Sequence, residues 1–184
     1  GSVLAYGGLD LLVHAAAGLS ATRDDFHVLI VGDGAELGAF TELAESLDVL
    51  GRYVTFTGRV PHAEVERYYS LIDIAPFPRL PLPVCELVSP LKPFEAMAMG
   101  KAVVSSDVRA LAEIVTDGVN GLLHEKGSAQ SLTSVLQVLL DSPELRARLG
   151  ETARRWVVAE RDWSALAGRV ADVYADLKPQ STLP

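Results

Sequence analysis

Short, almost continuously apolar strands alternating with amphipathic helices predict an α/β fold: a doubly wound, Rossmann-like parallel sheet with helices on both faces. Three observations carry the prediction. The runs His27-Val28-Leu29-Ile30-Val31 and Ala102-Val103-Val104-Ser105 show no polar alternation, so both faces of each strand are expected to be covered. Apolar stripes at helical spacing separate such runs. Glycine turns close the strands, at Gly32-Asp33-Gly34 and at Gly58.

In chain order, Gly1-Ser2-Val3-Leu4 reads as the tail of a strand. Leu9, Leu12, Val13 and Ala16 then form one helix face, and His27–Val31 is a buried strand with its turn. Leu37, Phe40, Ala44 and Leu47 give the next helical stripe, and Tyr53 to Thr57 is β-rich. Val65, Tyr68, Tyr69 and Ile72 face one side of a helix. Ile74-Ala75-Pro76-Phe77-Pro78 is a short strand whose prolines place it where ladder pairing ends early. A helix opening near Pro90 runs to Gly100 and is followed by the strand Ala102–Ser105. Ala110 to Val115 is a short helix, Gly121–His124 a strand, and Ser131 to Leu140 a helix. Ser142-Pro143 supplies an N-cap and a first-turn proline for a helix reaching about Arg161. A last helix spans about Trp163 to Leu177.

The 184 residues fit one domain, expected over residues 1–177, with a polar, frayed tail over 178–184. A net charge of −8 argues against a nucleic-acid binder, which needs clustered Lys and Arg. Cys85 is the single cysteine, so an internal disulfide is excluded, in keeping with a cytoplasmic setting. No apolar run approaches the roughly 18 residues of a membrane span.

The most informative stretch runs from Cys85 to Asp107, reading CELVSPLKPFEAMAMGKAVVSSD. Glu86 and Glu95 flank a Ser89-Pro90-Leu91-Lys92 turn that opens a helix. A helix start offers unpaired N–H groups to a phosphate. Ionised carboxylates accept hydrogen bonds from sugar hydroxyls. Phosphate plus polyol reads as a nucleotide-sugar, and the loops at the strand ends (1–8, 32–36, 58–62, 79–93 and 105–110) form the expected ligand face.

These residues resemble the signature of family-4 (group 1) retaining glycosyltransferases of the GT-B architecture. In that family two glutamates bracket a donor loop, followed by a helix reading E-A-M-A-x-G and a strand reading P-V-V-x-S-D. The common spacing has seven residues between the glutamates and this chain has eight. The resemblance extends through Val60, Gly100, Asp107, Glu113 and Gly118-Val119-Asn120-Gly121. It implies the carboxy-terminal, donor-binding half of a GT-B enzyme, which transfers a sugar from a nucleoside diphosphate sugar to an acceptor hydroxyl with retention. The acceptor-binding amino-terminal domain would then be absent, this chain alone would be inactive, and membrane contact would fall to the absent domain. No cofactor or metal is expected.

The resemblance makes Glu95 the acceptor for ribose hydroxyls and Glu86 the catalytic-site contact to the transferred sugar. It aligns Gly58-Arg59-Val60 with a loop whose backbone meets the base. Ser89, Pro90, Leu91 and Lys92 are expected at the diphosphate, although Ser89 also reads as a plain N-cap. Gly32 and Gly34 are expected near the ligand, but their spacing to Gly38 does not match a dinucleotide fingerprint, and a tight turn suffices to explain them.

One departure stands out. The family pattern G-R-L-x-x-x-K-G places a basic pair on the diphosphate. Here Ser2 and Gly7 occupy those positions, so Lys92 and Arg79 must compensate if the donor binds. Without compensation the domain would be a degenerate, non-catalytic scaffold or sensor. A GT-B nucleotide-sugar epimerase is a third reading. His14, His27, His62 and His124 show no metal spacing. Arg146, Arg148, Arg154 and Arg155 read as a solvated helix face.

Overall fold

The computed structural model describes residues 2–176. It is an α/β domain whose strands, β1 (Val28–Val31), β2 (Val54–Gly58), β3 (Ile74–Phe77), β4 (Ala102–Ser106) and β5 (Leu122–His124), all pair in parallel. The tail expected to fray, 178–184, lies outside the described residues.

The sheet is in two pieces. β1 pairs β2, while β3, β4 and β5 form a second ladder in that order. The parallel strands and their helical layers are those expected, with the ladder divided in two. α1 (Leu9–Ser20) spans the two pieces. Its Val13 and Ala16 pack with Ile30 and Val54, and its Leu11, Leu12, Ala15 and Leu19 pack with Ala102, Val104 and Leu132. A helix that is apolar on two adjoining stripes can hold two surfaces at once.

The other side of β3–β5 is closed by α5 (Lys92–Ala98), α6 (Arg109–Ala112) and α8 (Pro143–Glu160), whose Met97, Leu111, Ala153 and Val157 surround Val103. α7 (Ala129–Asp141) lies beside α1, with Leu132, Leu136 and Leu139 buried. The caps follow local chemistry. Ser128 Oγ accepts from the Ser131 N–H at the start of α7, and Ser142 Oγ accepts from the Leu145 N–H at the start of α8, with Pro143 in the first turn as expected. Arg146 is not part of a solvated face: its guanidinium donates to the Leu139 and Leu140 carbonyls and caps the end of α7. Arg148 donates to the Gly118 carbonyl. α2 (Leu37–Ser46) and α3 (Val65–Leu71) carry their predicted stripes, and α9 (Trp163–Asp176) is the expected last helix, whose expected end at Leu177 lies outside the described residues.

One element was not anticipated. α4 (Pro83–Leu87) forms a single turn inside what reads as a proline-rich loop. Pro83 sits in the first turn, where a missing N–H costs nothing.

Candidate functional site

The carboxyl ends of the parallel strands carry the loops where a doubly wound sheet takes its ligand. Residues 2–8 run across this edge. Ser2 pairs in parallel with Asp33, just past β1, and the Val3 N–H donates to the Asp33 carbonyl at 2.9 Å. The chain then turns through Ala5–Gly7, and the Tyr6 carbonyl accepts from the Leu80 N–H beyond β3. Two glycines permit this crossing. A Cβ on Gly34 would lie 2.2 Å from the Val3 carbonyl oxygen, and one on Gly8 would lie 1.6 Å from that of Pro78. Gly34 is therefore explained by backbone packing. Gly32 follows β1 and donates its N–H to the Gly58 carbonyl, beside Arg59 and Val60 at the end of β2. Ser2 is exposed, as is Arg59.

The segment 79–95 is built by α4 and α5. α5 starts at Lys92, later than expected, after Leu91 as its N-cap with no side-chain bond. Ser89 is therefore not an N-cap: it is exposed, like Leu91, in the turn between the two helices. Pro93 within the first turn of α5 and Gly100 after its end set the limits of that helix.

Arg79 and Lys92 both lie on this segment, and the Arg79 charge is felt at Lys92. The Arg79 guanidinium donates to the Val88 carbonyl at 3.2 Å and lies 5.8 Å from the centre of the Tyr6 ring. Burial, and then the Arg79 charge, push the Lys92 ammonium below the usual lysine range, while the nearby Glu95 opposes the shift. Among the described residues neither cation has a carboxylate within ion-pair distance. Two like charges that feel each other favour an anion settling close to both.

Glu95 is exposed in the first turn of α5 and accepts a 3.4 Å hydrogen bond from the Tyr69 hydroxyl. Burial and the Glu95 charge raise the Tyr69 phenol to about 12, so it remains a donor at neutral pH. Tyr69 had read only as part of a core stripe.

Glu86, on α4, is held by two donors. Lys126 Nζ lies 2.7 Å from one carboxylate oxygen, and the Arg109 N–H at the start of α6 donates to the other at 2.7 Å. The Lys126 ammonium first, and that N–H second, keep the Glu86 carboxyl below its ordinary range. Asp107 completes the arrangement by accepting from the Lys126 N–H at 2.8 Å. Each Glu86 oxygen keeps accepting capacity for a hydroxyl. Lys126 was not foreseen, because 40 residues separate it from Glu86.

Cys85 is fully buried and donates to the Tyr6 carbonyl, a packing role, and burial pushes its thiol up. His27 bridges the Arg52 carbonyl and Thr55, within the small sheet. Among the described residues no group of three His, Cys, Asp or Glu could hold a metal ion, and no helix is long and apolar enough to cross a membrane.

Residues 1–156 match the family model described as glycosyl transferases group 1. The chain is 28% identical over 177 residues to the alpha-D-kanosaminyltransferase of Streptomyces kanamyceticus, covering 96% of this chain and 44% of that protein. Among solved structures it is similar to the C-terminal domain of a group 1 glycosyl transferase, LpcC, from Francisella tularensis. The TM-score is 0.76 at 21% identity, over 88% of this chain and 83% of that one. It is also similar to Anabaena HepE, solved in complex with UDP, with a TM-score of 0.84 at 21% identity over 96% of this chain and 47% of that one. The chain thus spans less than half the length of the curated relatives it matches.

Proposed function

This chain belongs to the glycosyl transferases group 1 family, and from that premise we propose that it is the donor-binding domain of a retaining glycosyltransferase. The reaction moves a sugar from a nucleoside diphosphate sugar to an acceptor hydroxyl supplied through a second domain. The observation that supports this reading is that Arg79 and Lys92, two cations of the 79–92 loop, feel each other's charge and make no ion pair among the described residues. They stand in for the basic pair that Ser2 and Gly7 do not provide.

Each group takes one task. Lys92 and Arg79 stabilise the negative charge that grows on the diphosphate as the glycosidic bond breaks, which lowers the barrier without a metal. Glu95 accepts from ribose hydroxyls, with the Tyr69 hydroxyl donating to the same carboxylate. Lys126 keeps Glu86 ionised, so that it accepts from a hydroxyl of the transferred sugar. The backbone around Arg59 and Val60 meets the base. The exposed Leu82, Val84, Leu87, Val88 and Leu91 give this rim an apolar character that suits the face of a partner domain.

Titration calorimetry with UDP, GDP and ADP tests the reading. The expected result is binding of at least one diphosphate, weakened by salt and unchanged by EDTA. Ser2 and Gly7 favour a second reading, a scaffold that has lost its ligand. Absence of binding to all three diphosphates would support that reading instead.

A further inference from the structure

Lys126 follows β5 at the carboxyl edge of the sheet and is fixed there from several sides. Its backbone N–H donates to Asp107 Oδ1 at 2.8 Å, just past β4. The turn that carries it is closed by the Ser128 N–H on the Glu125 carbonyl, and the Glu125 N–H donates to Ser131 Oγ on α7. Gly127 supplies the left-handed φ of 78° that the turn requires, and a Cβ there would meet the Pro81 ring at 3.6 Å. The Lys126 side chain then reaches Glu86 on α4 at 2.7 Å, with 38% of the lysine side chain and 28% of the glutamate's still exposed. A partly open ion pair contributes little to stability. Bracing alone therefore does not account for a cation placed this firmly.

The hydrogen-bond inventory shows what is left over. An ammonium carries three protons and a carboxylate about four lone-pair positions. Among the described residues the Lys126 ammonium gives one proton, to Glu86 Oε1, and the Arg109 N–H donates to Glu86 Oε2. Two protons of the ammonium and about half of the carboxylate's lone-pair positions remain for a ligand. Nζ and Oε1 are 2.7 Å apart, close to the spacing of two hydroxyls on neighbouring ring carbons of a sugar. One hydroxyl then accepts from the ammonium while its neighbour donates to the carboxylate, and both bonds are charge-assisted.

Charge selects as well. A sugar bearing a carboxylate would meet Glu86 and Asp107, and one bearing an ammonium would meet Lys126 and Arg109. Either charge faces a like charge. We propose that Lys126 is a specificity-determining residue for the transferred sugar, and that with Glu86 it reads two neighbouring free hydroxyls of an uncharged sugar. The proposal rests on the donor-binding reading above and adds to it a second contact and a substrate class. A sugar lacking either hydroxyl leaves the ammonium or the carboxylate without its partner, the kind of loss that separates substrates most strongly.

The test measures binding by calorimetry for UDP and UDP-glucose, GDP and GDP-mannose, and ADP and ADP-glucose. The quantity read is the ratio of affinities, nucleotide-sugar over its diphosphate, in the parent chain and in Lys126→Met. At least one parent ratio is expected to exceed about ten, and the methionine, which keeps the stem without the charge, should lower it about tenfold. Monodeoxy forms of that sugar, bound to the parent chain, give a second arm that needs no variant. Removing either of two neighbouring hydroxyls should weaken binding about tenfold or more. In Lys126→Met one of those two removals should have no further effect. A ratio unchanged or raised in Lys126→Met, or equal tolerance of every deoxy form, would overturn the role of Lys126. A parent chain that binds diphosphates but gains nothing from the sugar would overturn it too. A parent chain that binds none of these ligands would instead overturn the donor-binding reading, and this proposal with it.

Discussion

The two half-sheets solve the same problem with different completeness. β3–β5 is flanked by helices on both faces, and β4 is buried throughout. β1–β2 has α1 and α2 beside it, but its strands are mostly half-buried and its joint to the rest runs through α1. The site divides along the same line. The expected base contact at Arg59-Val60, and Gly32, lie on the small half. Glu86, Glu95, Lys92 and Lys126 lie on the large half, with Glu86, Glu95 and Lys126 tied to it by hydrogen bonds and an ion pair. On the proposed reading, the charged groups of the site therefore sit on the better-braced part of the molecule.

The sharpest way to break this comparison is to weaken one core at a time. Leu111→Ala, at a fully buried site of the large half, is expected to cost about 2–5 kcal/mol in denaturant unfolding. Val54→Ala, buried in the small half, removes two carbons and is expected to cost about 1.6 kcal/mol. Fluorescence from Trp156, packed against the large core, should shift to lower denaturant with the first variant and much less with the second. A Trp156 shift with Val54→Ala that matches that variant's full loss of stability would show that the halves unfold as one unit.

A functional version of the comparison comes next. Glu95→Ala is expected to weaken nucleoside diphosphate binding by about 1.5–3 kcal/mol, the range for a hydrogen bond to a charged group. Unchanged affinity in a variant with normal circular dichroism would remove Glu95 from the site. Smaller again is Ser142→Ala, which takes the cap from α8 and should cost about 1 kcal/mol. It should be felt in the large half alone.

The smallest effect is the pH dependence of the Glu86 latch. The folded-state pKa of Glu86 is depressed, so its stabilising contribution is present above the unfolded carboxylate value and is lost as pH falls through the folded one. Lys126 is raised by the same contact, so its contribution is present below the ordinary lysine value and fades as pH rises past the folded one. The latch is fully formed between these limits. Acid titration of stability should flatten slightly in Glu86→Gln, and an unaltered curve would show that the contact is not formed in solution.

Much of this was legible in the residues. The apolar runs at Val28–Val31 and Ala102–Ser106, the Ser142-Pro143 cap and the Gly100 stop are local signals, and each sits where its chemistry placed it. The paired glutamates and the intervening turn marked the candidate site on which the proposal rests. What escaped depends on contacts far apart in the chain. Lys126 reaches Glu86 across the ends of β4 and β5, and Tyr69 reaches Glu95 from α3. α4 was hidden because one turn has no periodicity and its prolines imitate a loop. The division of the sheet was invisible because strand order is set by tertiary packing.

The central claim is that Lys92, beside Arg79, supplies the diphosphate charge that Ser2 and Gly7 do not. The direct measurement is the affinity of Lys92→Ala for UDP against uridine, and for GDP against guanosine, by calorimetry beside the parent chain. A large loss for the diphosphate with the nucleoside unchanged is the predicted result. A parent chain that prefers nucleoside to diphosphate, or a variant that binds diphosphate as well as the parent, would contradict it.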